Sequence, residues 1–201
     1  MITLTGLTED NYFLPEDGDI ARARFLEMIG KPGELYMSGY GCNMADLFAE
    51  FEAQDTAGVK QHLLLDYVQS QADNAKELLK HLNHMQKNTD ITLTTAGLNS
   101  KRTSQIWHWK AFVKFADDGG EPWCWEGSVN FSDSGWLQGN SCRVFRSQAW
   151  ADAFIAQFQA HRKWAEDNKP DYQATILQVG ESYDFIDAYF DAVKEDLVHP
   201  N

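Results

Sequence analysis

A chain of 201 residues, 43% hydrophobic and 23% charged, holds enough apolar material for one globular domain, which excludes a disordered polymer. Its 30 acidic and 17 basic residues leave a formal charge of −13, and a surface of that sign repels phosphate rather than gripping nucleic acid or anionic lipid indiscriminately. No apolar run approaches the roughly 20 residues that cross a bilayer, and the first residues lack the basic lead and apolar core of a secretory signal. Cys42, Cys124 and Cys142 are odd in number and in no metal-ligand spacing, so reduced thiols in a cytoplasmic protein are the simple reading. Neither a metal nor a cofactor is implied.

In chain order, Ile20 to Ile29 reads as an amphipathic helix stopped by Gly30-Lys31-Pro32-Gly33. Glu34 to Tyr40 is a short strand, and Met44 to Gln54 a helix with Phe48 and Phe51 inward. The run from Val59 to Asp66 is of buried-strand type. Ala72 to Lys87 is helical through Leu78, Leu79, Leu82 and Met85, and Ile91 to Thr95 is a β-branched strand. Ile106 to Phe115 and Pro122 to Val129 form a hairpin about the turn Ala116-Asp117-Asp118-Gly119-Gly120. Cys142 to Phe145 is a further strand. Ala149 to Asp167 is a long helix with Phe154, Ile155, Phe158 and Trp164 on one side, and a last helix follows near Tyr183 to Val198. The expected fold is α/β, a mixed sheet flanked by helices, with one domain over residues 1–168 and a C-terminal helical extension over 169–201.

Charge is unevenly spread. No acid falls between Asp90 and Asp117, a window holding Lys101, Arg102, Lys110 and Lys114. A second acid-free stretch, Ser134 to Ala151, holds Arg143 and Arg146. Buried strands exclude charge of either sign, but two such windows around one motif favour a local anion site, with Lys101 and Arg102 as candidate substrate contacts.

That motif is Trp107-His108-Trp109-Lys110, followed across the hairpin by Gly127-Ser128-Val129-Asn130-Phe131-Ser132. On a strand, alternation turns His108 and Lys110 to one side and the two tryptophans to the other, while Ser128 and Asn130 share a face on the partner. An imidazole, an ammonium, a hydroxyl and an amide then converge. Lys110, Ser128 and Asn130 suit the non-bridging oxygens of a phosphodiester, and His108 can attack phosphorus or move a proton near neutral pH.

H-x-K followed by G-S-x-N resembles the signature of the phospholipase D superfamily. The strand–helix–strand from Glu34 to Asp66 and the helix from Ala149 to Trp164 are similar to that family's flanking elements, so the resemblance spans residues 20 to 166. It implies a phospholipase D-like domain and a metal-independent phosphodiesterase, with catalytic residues His108, Lys110, Ser128 and Asn130. In that family two motifs meet across a pseudo-twofold axis: one histidine becomes phosphorylated and the other protonates the leaving oxygen. One motif in this chain therefore implies a homodimer with its active site on the twofold axis. His161-Arg162-Lys163 repeats the spacing in a predicted helix, where residues two apart diverge by about 200°.

Two positions depart from the family pattern. Phe115 stands where an aspartate is usual after the lysine, and Asn140-Ser141 where a glutamate commonly orients a histidine. Glu126 is a candidate replacement, or simply a solvent-facing strand residue. His81 and His84 sit one helical turn apart without a third ligand, which reads as helix surface. Of the tryptophans around the motif most read as core, and Trp136, in a loop, is the one expected to stack on a substrate group. Three functions compete. A nuclease is favoured, ahead of a lipid or small-molecule phosphodiesterase or transferase and of an inactive binding module. The partners expected are a second copy and a phosphodiester substrate, nucleic acid first, with no stable membrane insertion.

Overall fold

The computed structural model describes residues 9–66, 88–94, 107–115 and 117–167. They form a seven-stranded sheet with helices on both faces. In chain order the elements are β1 (Glu9–Phe13), α1 (Gly18–Ile29), β2 (Leu35–Gly39), α2 (Ala45–Thr56), β3 (Gln61–Asp66) and β4 (Thr89–Thr94). Then come β5 (Ala111–Lys114), β6 (Trp123–Gly127), a 3-10 turn (Asp133–Leu137), β7 (Ser141–Arg146) and a third helix, α3 (Gln148–Asp167). The sheet order is β1-β7-β6-β5-β2-β3-β4. β2, β3 and β4 run parallel, and the β1-β7-β6-β5 half is antiparallel and joins β2 antiparallel through β5. The mixed α/β sheet read in the sequence is therefore the one observed.

Alternation along the strands builds two cores. Phe112 and Trp125, directly paired across β5 and β6, face α1 and α2 and join Phe25, Phe48, Phe51, Phe131 and Trp136. Val113 and Cys124 face the other way, onto Ala151, Phe154 and Phe158 of α3. β3 sits inside both layers: Leu63 and Leu65 enter the first core and Leu64 the second, which is why its sequence reads as unbroken apolar.

The hairpin forms about the turn expected. Gly119 takes a φ of +70°, and Asp118 accepts a hydrogen bond from the Gly120 amide at 2.9 Å. Two details differ from the sequence reading. β5 and β6 are shorter than Ile106 to Phe115 and Pro122 to Val129, so both halves of the motif lie just past the strand ends, at the mouth of the sheet. β1, moreover, has no counterpart in the sequence reading. It is an edge strand paired to β7, and its Glu-Asp-Asn start carries little β propensity. The helix expected at Ala72 to Lys87, with His81 and His84, lies outside the described residues, as do Lys101, Arg102 and the extension over 169–201. None of the described helices is long and apolar enough to cross a membrane.

Candidate active site

The segment 107–110 is anchored by buried polar bonds. The Trp107 amide donates to Asp66 Oδ2 at 2.6 Å, and its indole Nε1 donates to Ser38 Oγ at 2.7 Å. Ser38 and Asp66 are buried near the carboxyl ends of β2 and β3, so the parallel half of the sheet pins the segment in place. With Trp107 held inward, His108 is exposed and packs edge-on against Tyr40, ring centroids 4.6 Å apart. Lys110 Nζ lies 5.1 Å from the centre of the same Tyr40 ring and donates to the His108 carbonyl at 3.1 Å. The shared side predicted for His108 and Lys110 is thus found around one ring. Trp107 and Trp109 lie together on the other side, 4.8 Å apart.

Lys110 is 4% exposed, and desolvation pushes its ammonium down to about 8. His108 is lowered too, first by desolvation and then by the Lys110 charge, with Asp66 opposing. Burial thus disfavours the charged form of both side chains, and the Lys110 charge adds to the effect on His108.

The G-S-x-N residues enter from β6. A Cβ on Gly127 would meet the Ser141 carbonyl at 2.4 Å, so only glycine lets β7 come this close. The approach lets Ser128 Oγ accept a hydrogen bond from the Ser141 amide at 3.0 Å. Asn130 packs on Gly41, where a Cβ would lie 3.3 Å from the Asn130 side chain. The Asn43 amide donates to the Phe131 carbonyl at 3.0 Å, which fixes that loop beside the end of β2. Tyr40-Gly41 therefore joins the two motif halves, His108 and Lys110 on the ring and Asn130 on the glycine. A cleft of about 700 Å³ opens beside them, lined in part by His108, Lys110, Glu126 and Ser141.

Two expectations need correction. Trp136, expected to stack on a substrate group, is 1% exposed and donates its indole N–H to Met44 Sδ inside the core. Glu126, left open between an orienting acid and a solvent-facing strand residue, is ion-paired with Arg143 at 2.5 Å and lines the cleft with His108. The second acid-free window does not supply free cations, because Arg143 meets Glu126 across the β6–β7 pair and Arg146 meets Asp118 of the hairpin turn at 2.7 Å, both acids distant in sequence. Tyr40 and Asp66 were missed as site residues; each stood at the end of a predicted strand, which is the signal that would have found them. His161 of the repeated spacing lies in α3 as expected, stacked on Trp107 at 3.7 Å. Among the described residues no group of three or more His, Cys, Asp or Glu side chains is arranged to hold a metal ion.

Solved structures share this architecture. NucT from Helicobacter pylori superposes with a TM-score of 0.65 at 16% identity, over 77% of this chain and 95% of that one. Nuc from Salmonella typhimurium, a phospholipase D family member, does so with a TM-score of 0.59 at 17% identity, over 77% and 93%. This chain has the phospholipase D fold. A phosphatidylserine synthase from Haemophilus influenzae also matches, with a TM-score of 0.53 at 9% identity over 94% of this chain and 45% of that one. No family model and no curated protein matches the sequence. The phospholipase D fold agrees with the family resemblance read from the motif in Trp107 to Ser132.

Proposed function

We propose that this chain is a metal-independent phosphodiesterase, and specifically a nuclease, that works as a homodimer through a phosphohistidine. The observation that carries the reading is the placement of His108 and desolvated Lys110 on one aromatic ring, at the mouth of a cleft, in a phospholipase D fold. In this mechanism the lone pair of one His108 ring nitrogen attacks phosphorus while Lys110 and Asn130 hold the non-bridging oxygens. The P–O bond to the leaving group breaks, and its oxygen takes a proton from the His108 imidazolium of a second copy. Water then attacks the phosphohistidine, gives a proton to that second, now neutral, imidazole, and releases the product with both rings restored. Ser128, bonded to β7, holds the loop that carries Asn130 and is a positioning residue in this scheme.

The three free cysteines fit a reducing compartment, and we place the protein in the cytosol on that ground. The test is a substrate panel run with chelator present: single- and double-stranded DNA, RNA, phospholipid and bis-(p-nitrophenyl) phosphate. Cleavage of nucleic acid that persists in EDTA and is lost in His108→Asn supports the proposal, as does sedimentation of the native chain as a dimer. Turnover that survives in His108→Asn overturns it.

A further inference from the structure

The cleft has a second wall that this chemistry leaves unused. Trp150 and Phe154, one turn apart on α3, stack at 5.2 Å with their planes 8° apart. Phe154 meets Trp109 at 5.7 Å, Trp109 meets Trp107 at 4.8 Å, and Trp107 stacks on His161. This run of rings crosses from α3 to the segment that carries His108 and Lys110. Most of it is sealed, but Trp109 keeps 37% of its surface open, and Trp109, Trp150 and Phe154 all line the cleft with His108 and Lys110. Around the aromatic faces stand polar groups: Asn11, Gln157 and the Arg143–Glu126 pair.

We propose that this wall is a base-stacking subsite that takes the nucleobase next to the scissile phosphate of a single strand. The inference rests on the phosphodiesterase reading above and names the substrate class for it. Three observations favour a nucleobase. First, the wall is aromatic, with exposed Trp109 and half-buried Trp150 both lining the cleft, and an aromatic ring stacks on any base. Second, its rim carries Asn11 and Gln157, whose side-chain amides can donate to and accept from a base edge. Third, a chain of net charge −13 gains little from a long-range field on nucleic acid. Local stacking beside the Lys110 ammonium suits such a protein, and it requires bases that are not already stacked in a duplex. Trp109, between the histidine and the lysine of the motif, then fixes where the phosphate falls relative to His108.

The experiment measures binding of fluorescein-labelled short oligothymidine, and of an abasic strand of the same length, to the full chain carrying His108→Asn. Fluorescence anisotropy reads affinity without cleavage. The thymidine strand should bind about ten-fold or more tighter than the abasic one, the size of a single base–aromatic stack. That ratio should fall toward one when Trp109→Leu or, separately, Trp150→Leu is added, with folding checked by circular dichroism melts. Equal affinity for the two strands overturns the subsite, as does a preference that survives both substitutions. Binding to phosphatidylcholine–phosphatidylglycerol vesicles with none to oligothymidine overturns it in favour of a lipid. Turnover of bis-(p-nitrophenyl) phosphate by the native chain separates the two claims. Turnover with no base preference removes the subsite and leaves the enzyme. Base-dependent binding with no turnover of any diester removes the enzyme and leaves the subsite.

Discussion

Lys114→Met tests the electrostatics of the sheet without touching the proposed chemistry. Lys114 ends β5, paired with Leu35 and Trp123, on the same strand face as Phe112. It is 0% exposed, and among the described residues its Nζ finds no hydrogen-bond partner. Burial pushes its ammonium down from 10.5 to about 8, against a weak opposing pull from Glu50. At about 1.4 kcal/mol per unit, that depression costs the folded state about 3 kcal/mol wherever both states are protonated, below about pH 8. Because the folded value lies below the unfolded one, the unfolded chain holds the proton more firmly between about 8 and 10.5. Native stability gains from this residue as pH climbs through that window.

Methionine fills a similar volume without a charge. Lys114→Met should therefore be the more stable protein at pH 7, by about 1–3 kcal/mol after packing losses, or roughly 2–12 °C in midpoint for a chain of this size. Urea titrations of both proteins at pH 7, 9 and 10.5 make the measurement, since groups common to both cancel in the difference. The advantage should shrink steadily with pH. A variant that is less stable at pH 7, or a difference that does not change with pH, refutes the reasoning.

His108→Asn should lower kcat by at least about 10³-fold while leaving the thermal midpoint within about 2 °C, because the ring is exposed. Rate assays paired with calorimetry check both halves. With native protein, kcat/KM should fall as pH rises through about 8, where the desolvated Lys110 ammonium loses its proton. Lys110→Arg, which stays charged, should move that alkaline limb upward even if its maximum rate is lower, and an unmoved limb assigns it elsewhere. Gly127→Ala should cost about 1–3 kcal/mol, read by thermal melts, because its Cβ runs into the Ser141 carbonyl rather than into a side chain that can turn away.

The sequence carried most of the fold because its signals were local. The apolar run into Asp66, the Asp-Gly-Gly turn and the stripe of Phe154 and Phe158 each follow from neighbours in the chain. His108 and Lys110 were legible for the same reason: two residues apart on extended backbone, they share a side whatever packs around them. What escaped was set by distance in space. Tyr40 matters because β2 ends beneath the motif, and Asp66 because β3 ends beside it; neither fact is written near residue 108. Trp136 looked like a loop residue available to a ligand, yet its 3-10 turn folds the indole onto Met44. Arg143 and Arg146 looked like unneutralised cations only because Glu126 and Asp118 are remote in sequence.

The bond from the Trp107 amide to Asp66 carries a consequence for how the protein loses activity. The strand that supplies the acceptor belongs to the parallel half of the sheet, whereas the histidine and lysine continue into the antiparallel half. Opening β3 frees that amide and lets the segment that carries His108 and Lys110 drift, although neither side chain has been altered. Deuterium uptake at this one backbone position thus serves as a gauge of whether the two halves are still locked together, and inactivation by heat should track it more closely than it tracks fraying of the β1 edge.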